Sequence, residues 1–499
     1  MTIHPARIHH LNRDQIQKPA PNKDFVLYWM QQSQRAVFNH ALEFAVDQAN
    51  DLGLPLVAGF GLTDAYPDAN LRHYSFMLEG LSETRIALAD RGIQLVVVKG
   101  SPPDVALNLG RQAALIVCDA GYLRHQRQWR DHVARNAGCP VILVETDVVV
   151  PVAAATTKAE YAARTIRPRI HKVLADFLMP LPPKDLKHSS LGLSFYSLDK
   201  TDSRDNPGNP GNPGNRSKTE SPGRLETPDS LKTLDITDPQ TLLDSLSLDS
   251  TVPPVSRFFS GGTSEAEKRF HTFLASGLKN YDRHSNQPQT DDISHMSPYL
   301  HFGQISPLYL ALAVMNVDPS LSDARDAFIE QLIIRRELAF NFVYYTPDYD
   351  SYDMIPGWAR NTLADHEADP RDHLYSEQEL IDAATHDPYW NAAMMEMTCT
   401  GFMHNYMRMY WGKKILEWSP SPKQAFENTL ALNNRYFLDG RDPNSYTGVA
   451  WLYGVHDRGW AERAVFGKIR YMAASGLERK CDIQAYVDKI KQRCAAVKS

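Results

Sequence analysis

Cysteine is scarce in this chain: five in 499 residues, at positions 118, 139, 399, 481 and 494. The number is odd, the spacings are long and no Cys-x-x-Cys pair occurs. Neither a disulfide framework nor a zinc site of the usual spacing is expected, and no metal is assigned. Long hydrophobic runs are missing as well, none approaching the ~20 residues of a membrane span. Residues 1–22 are polar with scattered bases and lack the apolar stretch of a secretory leader. There is no excess of positive charge either. Against 53 Lys and Arg stand 59 Asp and Glu, a net charge of −6, so contact with nucleic acid would need a local basic patch. What the chain does have is apolar substance, 43% hydrophobic and 10% aromatic, enough for a sizeable core and too much for a disordered polymer. The expectation is a soluble, intracellular, monomeric protein of two or three domains, in the cytoplasm or nucleoid, or in the nucleus of a eukaryote.

Common catalytic motifs fail too. His366-Glu367-Ala368-Asp369-Pro370 lacks the second histidine of a zinc-protease helix, and Gly467-Lys468 lacks the rest of a phosphate loop. Gly59-Phe60-Gly61 has no third glycine and reads as a loop after a strand. Hydrolase and nucleotide-hydrolase chemistry therefore starts with little support.

Organisation along the chain is clearer. After a flexible N-terminal tail, 1–23, residues 24–150 alternate short apolar runs (Phe25–Trp29, Leu54–Phe60, Ile93–Lys99, Ala114–Asp119, Val141–Thr146) with helical lengths such as Arg35–Gln48 and Arg72–Arg91. That pattern predicts an α/β domain with a parallel sheet, Rossmann-like, with ligands beyond the carboxyl ends of its strands. Residues 151–198 form an interdomain connection. Residues 199–255 read as a linker whose Pro-Gly-Asn unit, repeated three times over 207–215, has too little apolar surface to fold. Six bases and ten acids over 199–250 place −4 of the total charge there, away from the folded parts. From residue 256 to 499 the spacing is helical, with Glu265–Leu278, Ala324–Tyr344, Glu377–Ala384, Asn391–Trp418 and Pro422–Leu432 as the clearest stretches. This second domain is all-α.

Four signals carry chemistry. Tyr281 to Ser306 offers Ser294, Ser297-Pro298 and backbone N–H groups near a helix start, which hold phosphate or merely cap the helix. Trp411 and Trp418 lie two turns apart, with Trp390 just upstream; a row of indoles passes electrons singly, or is aromatic core. The polar cluster Asn433, Asn434, Arg435, Asp439-Gly440-Arg441-Asp442 is costly inside an apolar domain unless a ligand or a salt-bridged loop satisfies it. Trp451–Lys480 interleaves six bases with Trp451, Trp460, Phe466 and Tyr471 against three acids, which suits a DNA surface or a solvated face.

Several segments in one order add up to a resemblance. Phe25-Val26-Leu27-Tyr28-Trp29, Met296-Ser297-Pro298-Tyr299-Leu300-His301-Phe302-Gly303-Gln304, Arg335-Arg336-Glu337-Leu338, Thr385-His386-Asp387, Trp390-Asn391-Ala392-Ala393 and Phe466-Gly467-Lys468-Ile469-Arg470 resemble class II cyclobutane pyrimidine dimer photolyases, from about Phe25 to Val487. The resemblance implies an antenna-type α/β domain and an all-α domain holding FAD, active in its reduced form. The partner implied is UV-damaged DNA containing pyrimidine dimers, and an antenna pigment of deazaflavin or folate type is left open. By the same resemblance Tyr281, Asn286, Ile293, Ser294, Met296 and Ser297 would line the flavin's phosphate and ribityl side. Arg408 and Asp439 would pair beside the isoalloxazine, Asn433 would face its N5 edge, and Asp439, Gly440 and Arg441 would reach the adenine side. Glu330 matches the acid that contacts the dimer, Met409 and Trp451 would pack on the thymines, and Trp390, Trp411 and Trp418 would form the photoreduction wire. Arg458 and Arg470, with Trp451, would face DNA.

Two positions depart from the family pattern. Ser285 stands where an Arg is usual, and Gln331 where relatives often carry a second Glu, leaving Glu330 as the working acid. Burial in an apolar helix would keep Glu330 partly protonated, able to donate to a thymine carbonyl as charge develops. Glu337 is next in line, although an ion pair suits it better. Rival readings are a cryptochrome-like photoreceptor, with the same folds but signalling instead of repair, and a (6-4) photolyase. Glu330, Met409 and Trp451 argue for dimer repair.

Overall fold

The sheet of the computed structural model begins earlier than expected. The structure describes residues 3–14, 16–195 and 233–498. Within the supposed N-terminal tail, β1 (Ile8–His10) pairs antiparallel with β6 (Val141–Val144), and Arg7 is buried. The guanidinium of Arg7 donates to the carbonyls of Glu145 and Val148 at 3.0 and 3.1 Å. Residues 3–14 are therefore held as a sheet edge, which a three-residue strand of mixed polarity did not advertise. β2 (Phe25–Trp29), β3 (Leu56–Leu62), β4 (Gln94–Lys99), β5 (Ala113–Asp119) and β6 follow the expected apolar runs in the order β1-β6-β5-β2-β3-β4, parallel except for β1. Helices cover both faces, which is why β2, β3 and β5 are buried at every position.

Gly59 and Gly61 lie inside β3, not in a loop after it. A Cβ on Gly61 would sit 2.6 Å from Pro102 Cα, and one on Gly59 2.8 Å from Leu109. These glycines let the Pro102–Gly110 helix lie close on the sheet; they are packing residues and not a nucleotide turn.

The Pro-Gly-Asn repeats lie outside the described residues. The described part of the expected linker, 233–255, is not loose. Thr233 bridges Val98, Leu234 donates to Val97 at 2.8 Å, and the Pro239–Asp244 helix buries Leu242 and Leu243.

In the second half, cap-plus-proline signals set the helix starts. Ser306, Asp387, Ser421 and Asp442 each accept backbone N–H bonds just ahead of a proline at the start of Pro307–Met315, Pro388–Thr400, Pro422–Tyr436 and Pro443–Leu452. The stretch expected as one helix over Asn391–Trp418 is two, Pro388–Thr400 and Asn405–Trp418, because Gly401 takes a left-handed φ of 72° and ends the first. The Ala324–Tyr344 stretch does run through, but with a π-helical segment at Glu330–Arg335.

The two halves meet through buried charge. Arg336 pairs with Asp147 at 3.1 Å, and the Glu337 carboxylate accepts the backbone N–H groups of Val149 and Val150 at 2.6 and 3.1 Å. Complete burial outweighs those bonds and pushes the Glu337 carboxyl up from 4.5 to about 8. A folded-state pKa raised above the unfolded one means the native protein binds the extra proton, so stability is lost as pH rises through that window. Glu337→Gln keeps an acceptor oxygen without the charge. Urea unfolding should show its stability declining less with pH than wild type, which one such group lowers by at most about 1.4 kcal/mol per pH unit. Equal slopes would mean that Glu337 is ionised throughout.

Candidate functional site

Arg408, on the Asn405–Trp418 helix, donates through one Nη to both oxygens of Asp439 at 2.9 and 3.1 Å and through Nε to the carbonyl of Met403 at 3.0 Å. Its guanidinium lies 3.9 Å from the centroid of Phe437. Asp439 is held by the turn that follows the Pro422–Tyr436 helix. At Gly440 a Cβ would fall 2.8 Å from the carbonyl of Asn433, so only glycine lets that turn close. Asn433 is buried, its amide donating to Asn434 Oδ1 at 3.0 Å and to the Ser445 hydroxyl. The expected pair is thus built, with Asn433 on the helix leading into it.

A cavity of about 480 Å³, counted to its open mouth, is lined by Phe259, Arg269, His295, Thr400, Phe402 and Arg493, together with Phe258. His295 follows Ser294 with a left-handed φ of 55°, and its Nδ1 is buried without a partner. Burial drives its pKa down to about 4, leaving a neutral imidazole with one unspent hydrogen-bonding atom. Two guanidinium groups and this orphan nitrogen between aromatic walls fit a phosphate-bearing aromatic cofactor such as FAD. Arg269, His295 and Arg493 were missed from the sequence. His295 lay inside the recognised segment, whereas Arg493 sits beyond it on the Ile483–Lys498 helix and reaches the cavity only through the fold. Among the expected phosphate-side residues, Ser294, Met296 and Ser297 flank His295. Ile293 packs in the core, Asn286 is exposed, and the Tyr281 ring lies against Phe273 and Phe328, each at 5.6 Å.

Arg441 is a correction. Instead of accompanying Asp439 toward an adenine, its side chain turns into the cleft between the halves, 5.8 Å from the Tyr66 ring, with Nε and one Nη lacking partners. A left-handed φ of 65° at Arg441 makes that divergence. The cleft opens beyond the carboxyl ends of the strands and is walled by Met30, Gln31, Phe60, Tyr66 and Trp129.

Trp390, Trp411 and Trp418 are all buried. Trp411 faces Phe437 at 6.2 Å, Trp390 donates its indole N–H to the Trp411 carbonyl at 2.9 Å, and the Trp390 and Trp418 rings stand 5.6 Å apart. The three form a row leading away from the Arg408–Asp439 pair.

Met409 and Trp451 are half-buried against the same core. Behind Trp451, Lys413 is fully buried, its ammonium 5.4 Å from the indole and donating to the Leu452 carbonyl; desolvation lowers its pKa to about 7. Outward, Arg470 lies 5.3 Å from the Trp451 ring and 4.2 Å from Trp460, and Arg458 lies 5.2 Å from Trp460. Asp457 fixes Arg470 at 3.1 Å. Basic and aromatic groups thus alternate across one surface.

Glu330 contradicts its expectation. Its side chain keeps 25% of its surface exposed and takes both of its oxygens into hydrogen bonds with Arg167, at 3.0 and 2.7 Å, while Arg335 adds a third at 3.1 Å. Partial burial raises its pKa, but the two arginines outweigh it and hold the carboxyl below the usual range. It is an ionised acceptor at neutral pH, not a proton donor. The partner that quenches it, Arg167, lies on the Ala163–Phe177 helix, far away in sequence.

Comparison with known proteins follows the same lines. Residues 26–187 match the family model described as DNA photolyase. A deoxyribodipyrimidine photo-lyase of Methanothermobacter thermautotrophicus is 46% identical over 491 residues, covering 98% of this chain and 99% of that protein. A bacterial class III photolyase from Agrobacterium tumefaciens superposes with a TM-score of 0.66 at 17% identity, over 96% of this chain and 91% of its own. An archaeal photolyase from Sulfolobus tokodaii, described with two FAD molecules, gives 0.63 at 15% identity over 93% and 89%. No helix among the described residues is long and apolar enough to cross a membrane.

Proposed function

The chain belongs to the deoxyribodipyrimidine photo-lyases, and on that premise we propose how its residues divide the labour of light-dependent repair of cyclobutane pyrimidine dimers. The single observation that carries the assignment is the largely buried Arg408–Asp439 pair backed, through Phe437, by a row of three indoles. FAD held in the helical domain supplies, in its reduced and light-excited form, the electron that no side chain provides readily. Arg269, Arg493 and His295 would hold its diphosphate, and Arg408, Asp439 and Asn433 its ring. Trp411, Trp390 and Trp418 would restore the reduced state by single-electron steps. Because the electron returns at the end, the enzyme is a lyase.

Trp460, Arg458 and Arg470 form the DNA side, where phosphate neutralisation gives affinity and the indole stacks on unpaired bases. Trp451 and Met409 then meet the flipped dimer, whose weakened pairing lowers the cost of extrusion. The cleft holding the unspent donors of Arg441 suits a second, light-gathering pigment of deazaflavin or folate type.

With Glu330 committed to two arginines, the donor to the thymine carbonyl is better supplied by Gln331, the next residue of the π-helical segment, which is exposed and carries a neutral amide. With pre-reduced enzyme and a dimer-containing oligonucleotide, Glu330→Ala should keep its repair quantum yield. Gln331→Ala should slow ring opening by up to about 10²-fold, as removal of a charge-stabilising donor does. The opposite order would return the role to Glu330. For the function as a whole, the purified protein should show flavin absorption and remove dimers only under light; repair in the dark would overturn it.

A further inference from the structure

The indole row does not end in solvent. Trp418 stands 5.3 Å from the Tyr375 ring and 5.4 Å from the His386 ring. The Tyr375 hydroxyl lies 2.6 Å from His386 Nδ1, and the backbone N–H of His386 donates back to the phenol oxygen at 3.0 Å. The Tyr375 backbone N–H reaches the Trp418 carbonyl at 3.4 Å, so the three residues are fixed to one another. His373 stacks on His386 at 3.8 Å, and both histidines are exposed while Tyr375 is half-buried. With Nε2 carrying the imidazole proton, Nδ1 accepts from the phenol.

Resting on the wire reading above, we propose that Tyr375, with His386 as its base, is the redox terminus of the tryptophan row. Tyr375 gives one electron to the Trp418 radical cation, and its phenolic proton passes along the existing hydrogen bond to His386 Nδ1. The O–H bond breaks and an N–H bond forms. Trp418 returns to the neutral indole, Tyr375 becomes a neutral tyrosyl radical and His386 an imidazolium. The oxidant that creates the hole is light-excited oxidised flavin, and no further reactant is needed.

The physical reason for the pairing is that a phenol that keeps its proton is harder to oxidise than an indole, whereas one that sheds it to a base in contact is not. A distance of 2.6 Å is within the range for direct transfer. His386 must be neutral beforehand, and its surroundings keep it so. The partial desolvation of its ring, then the neighbouring His373, hold its pKa below the ordinary 6.5; Lys414 acts the same way, while Asp387 and Glu417 oppose. The exposed imidazolium then passes its proton to water, which leaves the hole at the surface with no charge to draw it back to the flavin.

The test uses the full flavin-loaded chain, flashed in its oxidised state, with transient absorption and electron paramagnetic resonance as readouts. Wild type should show a neutral tyrosyl signal that vanishes in Tyr375→Phe, where a tryptophan radical remains and recombines sooner. His386→Asn preserves an acceptor but not a base and should lose the signal too. In wild type the tyrosyl yield should hold at neutral pH and fall only below 6.5, as His386 becomes protonated. A wild type without the tyrosyl signal, or one in which it survives Tyr375→Phe, overturns the proposal. Trp418→Phe separates the two levels. If it blocks photoreduction while Tyr375→Phe changes nothing, the row stands and its terminus falls. If Trp418→Phe photoreduces normally, the row itself is not the path and the terminus falls with it.

Discussion

Asp439→Ala is expected to purify nearly free of flavin. The carboxylate takes two bonds from one Nη of Arg408, and the pair keeps only 21% and 10% of its side-chain surface. Removing one member strands a cation against Phe437, with Met403 as its one remaining partner through Nε. Breaking a buried pair costs ~3–5 kcal/mol, and the residual exposure of Arg408 places this case at the lower end. Three kcal/mol corresponds to roughly 10²-fold weaker binding of a ligand that depends on the pair. Asp439→Asn, which retains an acceptor oxygen, should lose less. Absorbance at the flavin band relative to protein measures both, and full occupancy in Asp439→Ala would remove the pair from the site.

Arg72→Met should loosen the two halves from one another. Arg72 is 1% exposed. Its guanidinium donates to the carbonyls of Pro253, Met397, Tyr436 and Thr398, at 3.0, 3.2, 2.7 and 2.6 Å. Three of those carbonyls belong to the last turns of the Pro388–Thr400 and Pro422–Tyr436 helices, where the dipole favours a cation; Met397 also accepts the Gly401 N–H, whereas Thr398 and Tyr436 lie where intrahelical donors run out. Asn70 and His73 add bonds to the Arg435 and Phe437 carbonyls at 2.8 and 3.0 Å. Methionine fills similar volume but leaves several buried acceptors unmet, at ~1–3 kcal/mol each, so a loss of about 3 kcal/mol or more is expected in urea unfolding. Because the Pro422–Tyr436 helix also carries Asn433 and leads to Asp439, flavin should be released early in that transition. Wild-type stability in Arg72→Met would mean that the interface rests on apolar contact alone.

Much of the molecule was legible residue by residue. Where a local signal is self-sufficient, sequence and structure coincide. The apolar runs of β2, β3 and β5 are buried on both faces, so their composition alone marks them. Ser or Asp before Pro both caps a helix and presets its first dihedral, so the starts at Pro307, Pro388, Pro422 and Pro443 were in plain view. The resemblance likewise pointed to Arg408 and Asp439 as a pair, which the fold builds.

What the sequence by itself determined, then, is the architecture, because apolar runs and helical spacing are set within a few tens of residues, and the family, because its segments recur here in one order. Tertiary structure alone decided which charges meet. Glu330 looked like a buried acid until Arg167, 163 residues upstream, turned it into an ionised clip. Arg441 left its neighbour Asp439 for the interdomain cleft, Arg493 arrived at the cavity from the last helix, and Arg7 held as sheet edge what had read as a tail. The reason is common to all of them. A side chain's burial and protonation depend on partners brought in by the fold, and electrostatic energy falls with distance in space, about which separation along the chain says nothing.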